Sequence, residues 1–90
     1  MIVAIKYVSV IASIAGTESE FIELSEGATI KDVINLLCAR HGSRLSNIIY
    51  MRTKNRKYMV NFIVNNANVE DTYILKDGEE LTIILALGGG

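Results

Sequence analysis

Leu81-Thr82-Ile83-Ile84-Leu85-Ala86-Leu87-Gly88-Gly89-Gly90 closes the chain. Up to Leu87 the stretch is apolar apart from Thr82 and rich in β-branched side chains, the composition of a strand in the middle of a sheet. The glycines follow it directly. Ile2-Val3-Ala4-Ile5-Lys6-Tyr7-Val8 has the same character at the other end of the chain, and is read as a first strand, also central because both of its faces are largely apolar. The two most continuously apolar segments therefore sit at opposite ends of the sequence. Ile83 and Ile84 are adjacent and point to opposite faces, so one apolar side is left for a partner unless both faces are covered.

Between these ends the periodicities are readable in turn. Ile11 to Ala15 suits one helical turn, Gly16-Thr17 a turn, and Glu20 to Leu24 a second strand with Phe21 and Glu23 facing opposite Ile22 and Leu24. Ser25-Glu26-Gly27 closes that strand. Thr29 is placed as an N-cap for a helix over 30–41, in which Ile30, Val33, Ile34, Leu37 and Cys38 share a face and Lys31, Asp32, Asn35 and Arg40 occupy the other. Gly42 is its expected C-cap. The segment from Ser43 to Lys57 fits a short helix through Leu45, Ile48 and Ile49, and Ile48 to Met51 fits a strand equally well. Val60 to Val64 reads as a strand, Asn65-Asn66 as a tight turn tolerant of positive φ, Val69 as the opening of a short return, and Lys76-Asp77-Gly78 as a turn into the last strand. Two strands, one long helix and further strands predict an α+β fold of β-grasp type: a mixed sheet, its first and last strands parallel neighbours, with the helix across one face. The expected organisation is one domain over residues 1–87 and a flexible glycine tail over 88–90.

Composition limits the function classes. A chain of 90 residues buries about 60–65% of its unfolded surface as one domain. A net charge of −1 supplies no general field for a polyanion, so nucleic acid is not the expected partner. Cys38 is the only cysteine, which suits a reducing compartment, and a cytoplasmic location is expected. No run of about 18 uncharged apolar residues marks a membrane span.

The sequence resembles the small subunit of molybdopterin synthase and its relatives, a ubiquitin-like sulfur-carrier family that includes archaeal small modifiers. The bearers are the N-terminal strand, Glu26-Gly27-Ala28-Thr29, Val60-Asn61 through Val64-Asn65, Leu75-Lys76-Asp77-Gly78-Glu79-Glu80-Leu81, and Gly89-Gly90. It departs from the family pattern at Ala12-Ser13, where an Arg-Glu pair is common, at Asn65-Asn66 in place of Asn-Gly, and at Leu85-Ala86 in place of a proline pair. The resemblance implies a carrier rather than an enzyme. The Gly90 carboxylate would be adenylated by an E1-like enzyme using ATP and magnesium and converted to a thiocarboxylate, for delivery of sulfur to molybdopterin with a large synthase subunit as partner. The same activated end would also serve a protein modifier joined to target lysines, or a carrier for tRNA thiolation. No cofactor or metal is expected on the chain itself. Gly88 and Gly89 would thread the partner's active site, since glycine has no side chain to clash and accepts any backbone conformation. Ile84, Leu85 and Leu87 are the expected docking residues.

Other groups admit quieter readings. Three terminal glycines arise by chance in about one chain in 3,000 at ordinary glycine usage, so accident does not explain them. An engineered end would bring serine, histidines or a protease site. Cys38 is expected in the core and His41 as a capping or surface residue with no paired acid in sequence. Arg52, Lys54, Arg56 and Lys57, flanked by Tyr50 and Tyr58, read as a solvated loop, and Asp71, Asp77, Glu79 and Glu80 as surface charge.

Overall fold

The computed structural model describes residues 1–50 and 57–86. Its elements are β1 (Ile2–Tyr7), α1 (Val10–Ala15), β2 (Ser19–Glu23), α2 (Ile30–His41), α3 (Ser43–Ile49), β3 (Val60–Val64), β4 (Ala67–Val69) and β5 (Glu80–Leu85). The strands form one sheet in the order β2-β1-β5-β3-β4. β1 and β5 are parallel, with Ala4 beside Glu80 and Tyr7 beside Ile83, and the other pairings are antiparallel. This is the expected β-grasp arrangement, with the first and last strands side by side.

Alternation within the strands sorts the side chains onto two faces. Val3, Ile5, Tyr7, Ile22, Val60, Phe62, Val64, Leu81 and Ile83 are buried together with Ile30, Val33, Ile34 and Leu37 of α2 and Leu45 and Ile49 of α3. The long helix starts where Thr29 accepts a bond from the Asp32 N–H at 3.4 Å, while the Asp32 carboxylate accepts from the Thr29 N–H at 2.9 Å. This reciprocal cap satisfies two amides that a helix start otherwise leaves open. At its far end Gly42 takes φ of 86°, a left-handed geometry that glycine adopts without a Cβ clash, and its N–H bonds the Cys38 carbonyl at 2.9 Å. No helix among the described residues is long and apolar enough to cross a membrane.

Several expectations change in detail. The ambiguous segment begins as helix α3, while its continuation through residues 51–56 lies outside the described residues. The return after Asn65-Asn66 begins at Ala67 and ends at Val69, because both asparagines take positive φ (53° and 64°) and close the hairpin in two residues. β5 starts at Glu80, and Leu87 falls outside the described residues. Cys38 is half-buried at the rim of the core: helical rotation carries it past the stripe that ends in Leu37.

Ser9, between β1 and α1, holds φ 57° and ψ −128°, a region where a Cβ is strained. Replacing Ser9 with glycine is expected to raise unfolding stability by about 1 kcal/mol. Thr29→Ala is expected to lower it by about 1 kcal/mol. Urea titrations of the three proteins check both directions.

Candidate functional site at the end of the central strands

β5 carries the chain toward its terminus between β1 and β3. The Val8 N–H donates to the Ile83 carbonyl at 3.3 Å, and beyond the strand the Ala86 N–H donates to the Met59 carbonyl at 2.9 Å. Met59 is held in turn by its own N–H on the Ile49 carbonyl at 2.8 Å. The root of the tail is thus fixed on both sides and from the end of α3. Gly88, Gly89 and Gly90 lie outside the described residues, as does Leu87.

The expected docking residues do not share a face. Ile84 stands beside Asn61 on the face away from the helices, partly exposed, whereas Leu85 stands beside Val60 on the covered side and packs against the core. The uncovered face carries Ala4, Lys6, Phe21, Ile63, Thr82 and Ile84 by register. Phe21, three-quarters exposed, is its largest apolar group. The alternation of residues 20–24 put Phe21 with Glu23 opposite Ile22 and Leu24, and the sheet order shows that theirs is the uncovered face.

His41 is where sequence reasoning failed most clearly. Its Nε2 lies 2.6 Å from Glu20 Oε2, and its ring stands edge-on to Tyr7. Glu20 also accepts from the Tyr7 hydroxyl and from Arg40 Nη1, each at 2.6 Å. The acid that pairs with His41 is 21 positions away in sequence, and only the β1·β2 register brings it to the end of α2. Partial burial pushes the Glu20 carboxyl up, but the bonds from Tyr7, Arg40 and His41 outweigh this and hold it below the ordinary glutamate range. Burial, then the bond to Glu20, drives the Tyr7 hydroxyl far above its ordinary value. Burial likewise raises the Cys38 thiol, which disfavours the thiolate.

The acids read as plain surface charge serve as braces. Asp71 accepts from the Tyr58 hydroxyl at 2.7 Å and from Lys57 Nζ at 3.2 Å; these bonds hold its carboxyl low. Glu79 accepts from Tyr73, Asn65 and the Lys76 N–H, and Asp77 from the Ile2 N–H. Lys57 belongs to this network, while Arg52, Lys54 and Arg56 lie outside the described residues. No cluster of three or more His, Cys, Asp or Glu side chains able to hold a metal occurs among the described residues.

The geometry defines a ubiquitin-like β-grasp domain that leads the chain end out from the middle of its sheet. The ThiS family model matches residues 5–90, and the chain belongs to that family of ubiquitin-like sulfur carriers. Among solved structures, a Pyrococcus furiosus protein described as molybdopterin converting factor, subunit 1, is 29% identical with a TM-score of 0.80, over 94% of this chain and 97% of that one. SAMP1 of Haloferax volcanii is 20% identical with a TM-score of 0.80, covering 100% of both chains. A chain of the Amycolatopsis orientalis BexX/CysO complex is 24% identical with a TM-score of 0.69, over 98% of this chain and 99% of that one. No curated protein matches in sequence.

Glu20 supplies a test by pH. A carboxyl whose folded pKa lies below its unfolded value adds stability above the unfolded pKa, and that stability is lost as pH falls through the folded pKa. Unfolding stability is therefore expected to decline below the ordinary glutamate range, and Glu20→Gln to flatten that decline. Urea midpoints collected between neutral and strongly acidic pH check this.

Proposed function

We propose that this chain delivers sulfur in molybdopterin biosynthesis, with residues 1–87 as the carrier body and 88–90 as its reactive end. The observation that carries the reading is the 29% identity, over nearly the full length of both chains, to the Pyrococcus furiosus protein described as molybdopterin converting factor, subunit 1. The matched region extends through the three glycines. The chain from the BexX/CysO complex supports partner binding as a general mode for this fold.

In this reading the Gly90 carboxylate attacks the α-phosphorus of ATP on an E1-like enzyme, with magnesium, and expels pyrophosphate. A carboxylate is a poor electrophile because its charge repels nucleophiles and oxide is a bad leaving group, whereas the acyl-adenylate offers AMP. A sulfide equivalent then forms the carbon–sulfur bond as the bond to AMP breaks, leaving a thiocarboxylate nucleophilic at sulfur. Gly88 and Gly89 pass the enzyme's channel, and Ile84, which unlike Leu85 stands on the uncovered face, is the docking residue. ATP and magnesium belong to the enzyme, the large synthase subunit is the second partner, and the cytoplasm is the compartment. Transfer of Gly90 to target lysines or sulfur delivery to tRNA are the alternatives, since both begin from the same adenylate.

Incubation with the host's E1-like enzyme, ATP, magnesium and sulfide is expected to raise the intact mass by the difference between sulfur and oxygen. A chain lacking Gly90 should remain unchanged. Stable association with a large synthase subunit supports the molybdopterin role, and Gly90-linked branched peptides in cell digests support the modifier instead. Ile84→Asp should slow conversion mainly through a raised KM for the carrier, read in the same assay.

A further inference from the structure

The sheet order leaves β2 with one strand neighbour, β1, so one of its edges is open among the described residues. The register fixes which backbone groups lie on that edge. Met1 and Leu24 exchange bonds in both directions, at 2.8 and 2.7 Å, and the Tyr7 N–H donates to the Glu18 carbonyl at 2.9 Å. In an antiparallel ladder, alternate residues bond the same neighbour. Glu18, Glu20, Ile22 and Leu24 therefore turn their amides and carbonyls to β1, and Ser19, Phe21 and Glu23 turn theirs outward. The Thr17 hydroxyl occupies the Ser19 groups, donating to its carbonyl at 2.8 Å and accepting from its N–H at 3.4 Å. Phe21 and Glu23 retain an outward donor and acceptor each.

Beside this edge, between β2 and α2, runs an open groove of about 350 Å³. Its apolar lining is Leu24, Ala28 and Leu36, and its charged residues are Glu23, Glu26 and Asp32, with no basic residue among them. Asp32 and Leu36 lie one helical turn apart on the flank of α2 that looks toward β2. Asp32 is committed to the helix cap, so Glu23 and Glu26 are the carboxylates left for a partner.

We propose that the β2 edge binds an extended segment of a partner protein, with alternating apolar and basic side chains, which adds a sixth strand to the sheet. Its backbone bonds the outward groups of Phe21 and Glu23. Side chains of one parity enter the groove over Leu24, Ala28 and Leu36, and basic residues meet Glu23 and Glu26. Main-chain bonds supply the affinity of such an added strand and the pockets for alternate side chains its selectivity. The acids argue against a second copy as occupant, since the edge and its groove carry Glu18, Glu23 and Glu26 and no basic residue, so a second copy of this edge adds acid to acid with no base to pair it. β1 lies between β2 and β5, so a strand added to this edge does not contact β5. The inference does not depend on the chemistry assigned to Gly90.

The test uses the full chain and a capped peptide of alternating valine and lysine, followed by amide NMR and hydrogen exchange. Binding is expected to shift the Phe21, Glu23, Leu24 and Leu36 amides and to slow exchange at Phe21 and Glu23. Phe21→Pro removes an outward donor without touching the β1·β2 ladder, and is expected to weaken binding by about tenfold, the worth of one hydrogen bond. The doubly substituted Glu23→Lys, Glu26→Lys chain leaves the backbone intact and should abolish the preference over a valine–glutamate peptide, a control independent of how well the proline variant folds. Shifts confined to Ile63 and Ile84, equal binding of the acidic peptide by the parent chain, or protection of Phe21 in a peptide-free dimer would each overturn the proposal.

Discussion

The parallel pairing of β1 with β5 is the contact on which the rest of the molecule depends. It joins Ala4–Tyr7 to Glu80–Ile83 and so closes nearly the whole chain into one loop. The logarithmic cost of closing a loop of this length is about 4 kcal/mol. Burying an isoleucine or leucine side chain contributes about 1.5–3 kcal/mol, so Ile5, Leu81 and Ile83, all fully buried, more than offset that term. The pairing stands because these residues are packed by α2 and α3, and the helices keep their places because the paired strands present a continuous apolar floor. The same pairing decides where the chain leaves the body: beside Val8 on one side and Met59 on the other.

The helix and most of the strands were legible because local signals agree with the global fold. Ile30, Val33, Ile34 and Leu37 recur at helical spacing, Thr29 and Gly42 mark the ends, and α2 runs over the expected residues. The apolar runs at the two ends of the chain were legible as neighbours for the same reason. Where local signals are evenly balanced, as from Ser43 onward, packing decides: Leu45 and Ile49, one turn apart, are both buried as α3. Long-range polar contacts left no trace in sequence. The bonds from Tyr7, Arg40 and His41 to Glu20 join β1, β2 and the end of α2, and no spacing rule connects these positions. For the same reason Asp71 and Glu79 read as surface charge although each accepts several bonds. Cys38 failed more narrowly, as a matter of helical phase.

The candidate site divides in the same way. The glycine end and the chemistry proposed for it come from sequence and family resemblance, whereas the faces of Ile84 and Leu85 follow only from the register. The covered face spends its apolar residues on the core. The uncovered face keeps Phe21, Ile63 and Ile84 near Lys6 and Thr82, a mixed surface of the sort that contacts a partner. In the proposed function little is asked of the chain's own side chains: the body holds β5 in place, and a partner enzyme would supply the reaction.

Native-state amide hydrogen exchange tests the central place of the β1·β5 pair most directly. The account predicts that the amides bonding these two strands, including Val8 on Ile83, exchange only through global unfolding, more slowly than those of β2, β4 and α1. Exchange of those amides through a smaller opening, while α2 stays protected, would show that the helix and not the paired strands holds the structure together.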